Sequence, residues 1–407
     1  MQNLIKKLKL KRRGITLLAG MHFYGNPSAK LKIVGVTGTN GKTTTATLLY
    51  RITTALGYKA GLISTVENII DGEVVATLDG RPTPGTTPDP IILHKLLNKM
   101  AEKGCEYVFM EVSSHALDQN RVAGINFAGG IFTNLTHDHL DYHKNFENYF
   151  GAKKKFFKML NEKTFALSNI DDEYGEKMLE DIKAKKYTYG FKHQADFNEK
   201  LETKLIGDFN MYNVLAVYAS LILLGMNKEK VKEHLKNVLP PRGRFDYFKS
   251  SSGITAIVDY AHTPDALQNV LKTVQGIREK GLSAGRQGGK IISIFGCGGD
   301  RDPLKRPKMG KIGVSLSDIV IFTSDNPRSE DSEKIIEQMK EGLSEEDMKK
   351  VITISSRHEA IKEAVKIAQK GDIILCAGKG HEDYQEIKGV KYHFDDIEEL
   401  KKTFQQK

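Results

Sequence analysis

A lysine and three threonines directly after two glycines form the most chemically suggestive pattern in the sequence. In GTNGKTT, residues 38–44, the glycines lie between an apolar run and a segment with helical periodicity. Backbone N–H groups of such a loop bind phosphate, Lys42 would reach the terminal phosphates, and the Thr43 hydroxyl would ligate Mg²⁺. Only two residues separate Gly38 from Gly41, which departs from the standard phosphate loop, and a structural glycine turn is the alternative. We predict a nucleotide site here.

Acids and histidines that follow strand-like runs are the next candidates. Glu111 ends YVFMEV, and an acid at a strand end beside a phosphate loop suits a Mg²⁺ ligand or a water-positioning group. The alternative is an acid that faces solvent. Residues 137–143, HDHLDYH, contain three histidines and two aspartates. Taken alone this run could bind zinc, whereas beside a phosphate loop it favours a second hard-cation site that one histidine joins.

Three adjacent lysines, residues 153–155, occupy a segment with helical periodicity. The residues alone favour a solvated basic face. A lysine buried among other cations would favour its neutral amine, which reacts with CO₂ to give a carbamate, and this alternative turns a cation into a carboxylate.

Three charged, glycine-containing or proline-containing loops follow strand-like runs in the second half of the chain. Residues 296–302, GCGGDRD, suit an anion-binding loop. In residues 325–328, DNPR, the arginine suits a bidentate bond to a carboxylate of a zwitterion. In residues 378–382, GKGHE, the glutamate would hold the matching ammonium. Each loop alone could be only a tight turn.

Alternating strand-like and helix-like segments must position these groups. Strand-like runs are predicted at 59–65, 107–112, 130–135, 165–169, 254–259, 290–295, 318–324, 351–355 and 372–377, and helical runs at 42–56, 90–103, 146–160, 210–224, 228–238, 333–343 and 358–369. This alternation predicts an α/β protein with two mainly parallel sheets covered by helices. We predict a short basic segment (1–31), a central ATPase-type domain with a phosphate loop (32–242) and a Rossmann-like C-terminal domain (243–407).

Composition excludes several classes of protein. The 407 residues are 40% hydrophobic and 28% charged, with no run that resembles a membrane span or secretory signal. The three cysteines have no metal-type spacing and fit reduced thiols, which predicts a cytoplasmic protein. The net charge of +10 suits anionic ligands, but scattered basic residues without interleaved aromatics argue against nucleic acid. The N-terminal LIKKLKLKRR would be a solvated or frayed segment or a helix at a membrane surface.

The chain resembles the Mur ligases in motifs that follow the family order from about residue 32 to the C terminus. The matching stretches are GTNGKTT (38–44), TTPD (86–89), EVSSHALDQNRV (111–122), TNLTHDHLDYH (133–143), GAKKKFF (151–157), FNMYN (209–213), GRFD (243–246), VDYAHTPDAL (258–267), GCGGDRDPLKRPKMG (296–310), DNPR (325–328) and GKGHE (378–382). The resemblance implies ATP-dependent amide formation. A substrate carboxylate takes the γ-phosphoryl group to give an acyl phosphate, and an amine then displaces phosphate.

The resemblance also implies residue roles. Catalytic residues would be Lys42, Glu111, His139 and Lys153, with Thr43 and Glu111 on a first magnesium and His139 and a carbamylated Lys153 on a second. ATP would contact Gly38, Thr39, Asn40, Gly41, Lys42, Thr43, Thr44, Asn210, Asn213, Asp259, His262, Lys305 and Arg306. The muramoyl-peptide acceptor would contact Thr86, Thr87, Ser113, Gln119 and Arg121.

The DNPR loop indicates which amino acid is added. In this family the DNPR form of the loop occurs in ligases that add meso-diaminopimelate, whereas the lysine-adding relatives lack its arginine. The matching pocket residues are Arg301, Asp325, Asn326, Arg328, Gly378 and Glu382. The second amino-carboxylate end of diaminopimelate needs a bidentate cation that lysine does not. We therefore expect meso-diaminopimelate rather than L-lysine.

Two departures from the family concern the UDP end of the acceptor. Relatives carry an N-terminal UDP-binding domain, and only some thirty residues precede the phosphate loop here. Residues 191–205 are abbreviated, and Gly85 stands where an asparagine usually precedes TTP. The enzyme could hold UDP weakly by itself, as we favour, or use a separate subunit, or take a UDP-free acceptor. We expect small-molecule substrates, no nucleic-acid partner, no integral membrane association and a monomer.

Two rival functions remain open at this point. One is a related ligase, such as a folylpolyglutamate or cyanophycin synthetase, against which the DNPR and GKGHE pair argues. The other is a non-catalytic nucleotide-binding scaffold descended from a ligase. The joint presence of Lys42, Glu111, His139 and Lys153 speaks against it.

Overall fold

The computed structural model describes residues 25–78, 81–82, 86–279 and 289–407, and the chain divides into two compact units. The first unit comprises the chain up to Thr136 together with His143–Pro241, and the second comprises His137–Tyr142 together with Arg242–Lys407. The predictions made for the basic residues before position 25 and for Gly85 lie outside the described residues.

The first unit is built on an eight-stranded sheet. Its strands are β1 (Lys32–Thr37), β2 (Ala60–Ile63), β3 (Asn68–Ile70), β4 (Glu73–Val74), β7 (Tyr107–Glu111), β8 (Phe127–Phe132), β9 (Phe165–Asn169) and β10 (Lys185–Tyr189), in the order β10-β9-β8-β1-β7-β2-β3-β4. All pairs are parallel except those that β3 forms with β2 and β4. The short strands β5 (Thr77–Leu78) and β6 (Arg81–Pro82) pair separately. Strand β1 therefore lies inside the sheet, between β7 and β8.

Helices cover this sheet, which explains the continuous apolar run in β1. They are α1 (Lys42–Ala55), α2 (Pro90–Glu102), α3 (Ser114–Asp118), α5 (Phe146–Met159), α6 (Gly175–Leu179), α7 (Asp208–Leu223) and α8 (Lys228–Asn237). The short helix α4 (Leu140–His143) has three of its four residues in the second unit. The side chains of Ile33, Val34 and Val36 are fully buried, as expected for a parallel strand covered on both faces. Helices α2 and α5 begin where the side chains of Asp89 and Asn145 accept backbone N–H bonds.

The second unit is built on a six-stranded sheet. Its strands are β11 (Asp246–Lys249), β12 (Thr255–Asp259), β13 (Ile291–Phe295), β14 (Ile319–Phe322), β15 (Val351–Thr353) and β16 (Ile373–Ala377), in the order β11-β12-β16-β13-β14-β15, and only β11 is antiparallel. A hairpin of β17 (Tyr384–Ile387) and β18 (Val390–His393) follows. The helices are α9 (Pro264–Glu279), α10 (Lys305–Leu316), α11 (Ser332–Lys340), α12 (Glu345–Met348), α13 (Arg357–Ile367) and α14 (Asp396–Gln406).

The predicted α/β class with mainly parallel sheets is confirmed. The sequence did not predict the antiparallel strands β3, β4 and β11 or the β17–β18 hairpin, because these segments are short and partly polar. Among the described helices, none combines the length and the apolar character that a bilayer crossing requires.

Candidate active site

The predicted phosphate loop leaves the carboxyl end of β1 and leads directly into α1. Gly41 has φ +85° and precedes the first residue of the helix, Lys42. This backbone conformation favours glycine, and it directs the N–H groups of the helix N-terminus toward the loop. The ammonium of Lys42 donates to the carbonyl oxygens of Gly38 at 3.0 Å and Thr39 at 2.7 Å. The lysine is thus held over the loop that would receive phosphate.

Polar residues that follow β8 brace the phosphate loop. Asn40 N–H donates to Asn134 Oδ1 at 2.8 Å, and Asn134 Nδ2 donates back to Asn40 O at 3.1 Å. The Thr133 hydroxyl donates to the same carbonyl at 2.6 Å, and Thr136 N–H donates to Thr39 Oγ1 at 3.0 Å. We did not single out these residues from the sequence. The available signal was their place after a strand-like run, since β8 pairs directly with β1.

Glu111 reaches the same sheet edge, because it is the last residue of β7 and pairs in register with Val36 of β1. Its side chain is buried, and Oε1 accepts the Thr65 N–H at 2.7 Å. Among the described residues, Oε2 has no hydrogen-bond partner although it is buried. A buried carboxylate oxygen without a partner is costly, and a bound cation would satisfy it. This oxygen fits a magnesium ligand and argues against the solvent-facing alternative.

The three adjacent lysines have three different environments. Lys153 is buried, and its ammonium donates to the carbonyl oxygen of Gly38 in the phosphate loop at 2.7 Å. Lys154 donates to carbonyl oxygens at the end of α6, and burial lowers its pKa. Lys155 is exposed and lies 3.7 Å from Asp118. Only Lys153 therefore contacts the phosphate loop, and a uniformly solvated basic face is wrong.

The two candidate adenine contacts lie on α7, which packs behind the phosphate loop. Asn213 Nδ2 donates to Asn210 Oδ1 at 3.2 Å, and Thr45 donates to Asn213 Oδ1 at 3.4 Å. A Cβ on Gly41 would lie only 2.4 Å from the same Oδ1. The glycine at this position therefore permits close packing between the loop and the helix.

The five candidate acceptor contacts form one polar network beside Glu111. Thr86 Oγ1 accepts the Thr65 hydroxyl at 3.0 Å, while the Thr87 hydroxyl donates to the Glu111 carbonyl at 2.8 Å. Ser113 N–H donates to Thr87 Oγ1 at 3.0 Å. The last two members are Arg121 and Gln119. The Arg121 guanidinium donates to the Thr87 carbonyl oxygen at 2.8 Å and to Gln119 Oε1 at 2.7 Å.

His139 belongs to the second unit and has φ +56°. Its N–H donates to Asp138 Oδ1 at 2.8 Å, and its Nε2 lies 3.3 Å from the same carboxylate. Within the described parts of the chain, no three side chains of His, Cys, Asp or Glu are grouped to hold a metal. The described residues thus offer no zinc site, and the pairing of His139 with Lys153 on a magnesium stays a prediction.

Four loops meet at the carboxyl edge of the second sheet, because they follow the parallel strands β12, β13, β14 and β16. At the end of β12, the buried Asp259 carboxylate accepts the Phe245 N–H at 2.7 Å. Burial raises the pKa of Asp259 to about 6, although Arg244 opposes this. Lys305 donates to the His262 carbonyl oxygen at 2.8 Å, and burial together with Lys305 lowers the pKa of His262. These candidate ATP contacts form one partly buried group.

Arg306 does not match its predicted role. It is 1% exposed, and its guanidinium makes a bidentate pair with Glu330 at 2.8 and 2.9 Å. It also donates to Gln338 at 2.5 Å and to the Gly298 carbonyl at 3.2 Å. Because these acceptors neutralise and cover the charge, we remove Arg306 from the candidate phosphate contacts. It stabilises the loop after β13 instead.

The candidate amino-acid pocket combines the loops after β13, β14 and β16. Asn326 Nδ2 donates to Glu382 Oε2 at 2.7 Å. Arg328 donates to the Gly299 carbonyl at 2.7 Å, and its Nε lies 3.7 Å from Glu386. The three other candidates at this edge are the exposed Arg301, the buried Asp325, and Gly378, on which a Cβ would lie 2.6 Å from Asp325 Oδ2. The predicted residues are thus brought together by tertiary contacts.

The fold and its loops indicate a class of protein: a two-unit α/β protein with the predicted phosphate loop in one unit and the predicted amino-acid pocket in the other. Comparison with protein families gives the specific group. Residues 36–221 match the Mur ligase middle domain, and residues 243–380 match the Mur ligase glutamate ligase domain. The chain belongs to the Mur ligase family, and it is an ATP-dependent amide ligase of peptidoglycan synthesis.

Similar proteins support this placement along nearly the whole chain. A Bacteroides fragilis protein named UDP-N-acetylmuramoyl-L-alanyl-D-glutamate–2,6-diaminopimelate ligase is 53% identical over 403 residues, covering 95% of this chain and 80% of the relative. An Aquifex aeolicus protein of the same name is 44% identical, with 93% and 78% covered. A solved structure of a ligase with that name has 32% identity and a TM-score of 0.60, with 92% and 78% covered. The Mycobacterium tuberculosis folylpolyglutamate synthase shares the fold, at 16% identity and a TM-score of 0.67, with 89% and 92% covered.

Proposed function

We propose that the enzyme adds meso-diaminopimelate to UDP-N-acetylmuramoyl-L-alanyl-D-glutamate and converts ATP to ADP and phosphate. The observation that carries this proposal is the arrangement of Asn326, Arg328 and Glu382 at one sheet edge. A guanidinium suits the distal carboxylate of diaminopimelate, and a carboxylate suits its ammonium. The printed names of the similar proteins agree with this assignment.

In the first step, a carboxylate oxygen of the acceptor would attack the γ-phosphorus, and the bond to the ADP oxygen would break. Lys42 and the backbone N–H groups of the phosphate loop would stabilise the negative charge on the phosphoryl oxygens. The network of Thr87, Ser113 and Arg121 would hold the acceptor beside Glu111. Asn210 and Asn213 would contact adenine, while Asp259, His262 and Lys305 would contact the nucleotide.

Magnesium would neutralise charge on the transferring phosphoryl group. The unpartnered Glu111 oxygen supports a site that Glu111 and Thr43 hold. His139 and Lys153 would hold a second ion, with Lys153 as a carbamate. Burial of Lys153 against the phosphate loop supports this modification, because burial favours a neutral amine that can react with CO₂.

In the second step, the diaminopimelate amine would attack the acyl carbonyl carbon. The resulting tetrahedral intermediate would expel inorganic phosphate with its bridging oxygen, and the nitrogen would lose a proton. Glu382 would bind the distal ammonium, which does not react, and Arg328 together with the Asn326 NH₂ group would bind the distal carboxylate. A second Mur-type activity, with another amino acid or a UDP-free acceptor, is the alternative outcome of the assay below.

We further propose that the enzyme works in the cytoplasm as a monomer and recognises the UDP part of the acceptor. Turnover of UDP-linked and UDP-free muramoyl dipeptide tests the last point. A higher kcat/KM for the UDP-linked acceptor than for the UDP-free acceptor supports recognition of UDP, and equal values would show that UDP has no role. If addition of a candidate UDP-binding protein increases the preference for the UDP-linked acceptor, a separate subunit is favoured instead.

The decisive experiment measures phosphate release from ATP with defined acceptors and amino acids. We expect release that requires both the muramoyl-dipeptide acceptor and meso-diaminopimelate, with product confirmed by mass. Consumption of L-lysine without diaminopimelate would overturn the amino-acid assignment. ATP binding without release that depends on both substrates would favour a non-catalytic scaffold.

Arg328→Lys tests the bidentate contact. This variant keeps the charge but loses the planar fork, so the KM for diaminopimelate should rise about 10-fold or more while the KM for ATP stays unchanged. Arg278→Lys is the matched control, because Arg278 pairs with Asp318 at 2.8 Å just before β14, at the opposite edge of the sheet. Equal effects of both variants would contradict the proposed contact.

Lys153→Ala tests the carbamate. We expect loss of activity and partial recovery with a short-chain carboxylic acid that supplies the missing carboxylate. Lys155→Ala is the control, because this exposed neighbour lies two residues away and should tolerate the change. Full activity of Lys153→Ala would eliminate the carbamate.

A further inference from the structure

A fully buried lysine lies in the amino-acid loop and has no role in the reaction described above. Lys379 follows β16 directly after Gly378, and its side chain is 0% exposed. Its ammonium is 3.2 Å from Asn326 Oδ1 and 3.3 Å from Glu382 Oε2, and it lies 5.6 Å from the centre of the Tyr384 ring. A buried ammonium is costly unless it is paired and hydrogen-bonded. Its partners are two residues of the proposed amino-acid pocket: Glu382, which would bind the distal ammonium, and Asn326, whose NH₂ group would bind the distal carboxylate.

Lys379 balances a concentration of negative charge. Glu382 faces the Asp325 carboxylate, Lys379 and the rings of Tyr260 and Tyr384. Burial and Asp325 raise the pKa of Glu382, whereas Lys379 and the Asn326 amide oppose that rise. Glu382 must carry its charge to bind an ammonium. The buried cation therefore favours the form of Glu382 that the reaction requires.

Lys379 also fixes the orientation of the Asn326 amide. Asn326 Oδ1 accepts two donors, the Lys379 ammonium and the Glu386 N–H at 2.9 Å, so the opposite end of the amide must be the NH₂ group. That NH₂ group donates to Glu382 Oε2 at 2.7 Å. Without Lys379, one of the two donors that distinguish the oxygen end would be lost.

We propose that Lys379 is a positioning residue for the amino-acid site: it orients Asn326 and Glu382 and balances the charge of Glu382 against Asp325. This inference rests on the proposed function, in which Glu382 binds the distal ammonium of diaminopimelate. It adds a residue that does not touch the substrate but controls the two that do. The single contact at 3.3 Å, rather than a closer bond, leaves Glu382 able to accept the substrate ammonium.

Lys379→Met tests the inference, with steady-state kinetics measured across pH on the full chain. The KM for diaminopimelate should rise about 10- to 100-fold, as expected for loss of a hydrogen bond to a charged group, while the KM for ATP stays unchanged. The acidic limb of kcat/KM for diaminopimelate reports ionisation of the free enzyme, and it should move to higher pH. Removal of a neighbouring cation raises the pKa of Glu382, which gives this direction.

Lys391→Met is the matched control. Lys391 lies 3.9 Å from the centre of the same Tyr384 ring but is exposed, on strand β18. It should leave both KM values and the pH profile unchanged. Circular dichroism and thermal unfolding establish that each variant is folded. If Lys379→Met does not fold, Lys379→Gln replaces it, since glutamine removes the charge but keeps a donor.

The outcomes separate a positioning role from a purely structural one. An unchanged KM for diaminopimelate and an unchanged acidic limb in a folded variant would overturn the inference. Equal increases in the KM for ATP and diaminopimelate would also overturn it, because they indicate general loss of structure. Failure of the wild type to use diaminopimelate would refute the proposed function instead. The same variants would then be measured with the amino acid that it does use.

Discussion

Gly243 is the glycine whose replacement should damage the amino-acid site most clearly. It has φ +67°, and a Cβ at this position would lie 2.2 Å from Gly380 C and from His381 N. Both contacts are to backbone of the GKGHE loop, so no flexible side chain can move aside. Gly243→Ala should therefore force the loop that carries Glu382 away from its position.

The expected loss of stability has two terms. An L-residue with positive φ costs about 1–2 kcal/mol, and an overpacked contact costs about 1–3 kcal/mol, which together give about 2–5 kcal/mol. At about 2–4 °C per kcal/mol for a unit of this size, the Tm of the second unit should fall by roughly 4–20 °C. The KM for diaminopimelate should rise as well, because the loop contains Glu382.

Gly389→Ala is the control for the backbone term. Gly389 has φ +78°, but a Cβ there would meet no atom within 4 Å. Gly389→Ala should therefore cost only the backbone strain of about 1–2 kcal/mol. Alanine also restricts the unfolded chain, but this effect is the same in both variants and cancels in the comparison. Differential scanning calorimetry of the wild type and both variants, with the KM for diaminopimelate, completes the test. Equal Tm losses, or an unchanged KM in Gly243→Ala, would refute the argument from close packing.

Three further changes have defined outcomes. A pKa of Asp259 near 6 against an ordinary 3.8 means that the stability from this group is full below pH 3.8 and is lost, by about 3 kcal/mol in all, as pH rises from 3.8 through 6. The Tm of the wild type relative to Asp259→Asn should therefore fall between about pH 4 and 7, and a constant difference would contradict the raised pKa. Arg357→Met should cost about 3–5 kcal/mol in urea unfolding, because it leaves the fully buried Asp396 carboxylate unpaired, and a second change to Asp396→Leu should recover much of this loss. Tyr149→Phe should lower kcat about 2- to 10-fold with little change in Tm, because it removes the 3.0 Å bond from the Tyr149 hydroxyl to Thr39 in the phosphate loop; an unchanged kcat would indicate that this bond is dispensable.

The sequence alone identified features that depend on local patterns. An apolar run, two glycines and GKT predicted the strand, loop and helix from Lys32 onward, because strand burial and phosphate-loop geometry are short-range properties. Alternation of apolar runs predicted the α/β class for the same reason. The placement of DNPR and GKGHE after strand-like runs predicted that they share a sheet edge, which the parallel order of β14, β13 and β16 confirms.

Partners far apart in the chain were decided only by the tertiary structure. Three adjacent lysines look alike in sequence, and only packing of α5 directs Lys153 to Gly38, 115 residues away. The sequence predicts Arg306 as a phosphate contact, but in the structure Glu330 pairs with its guanidinium. The proposed role of Lys379 depends on its contact with Asn326, 53 residues away, because the charge of a buried group depends on its neighbours. Short-range pattern therefore determined where the chemistry lies, and long-range packing determined which charges are available for it.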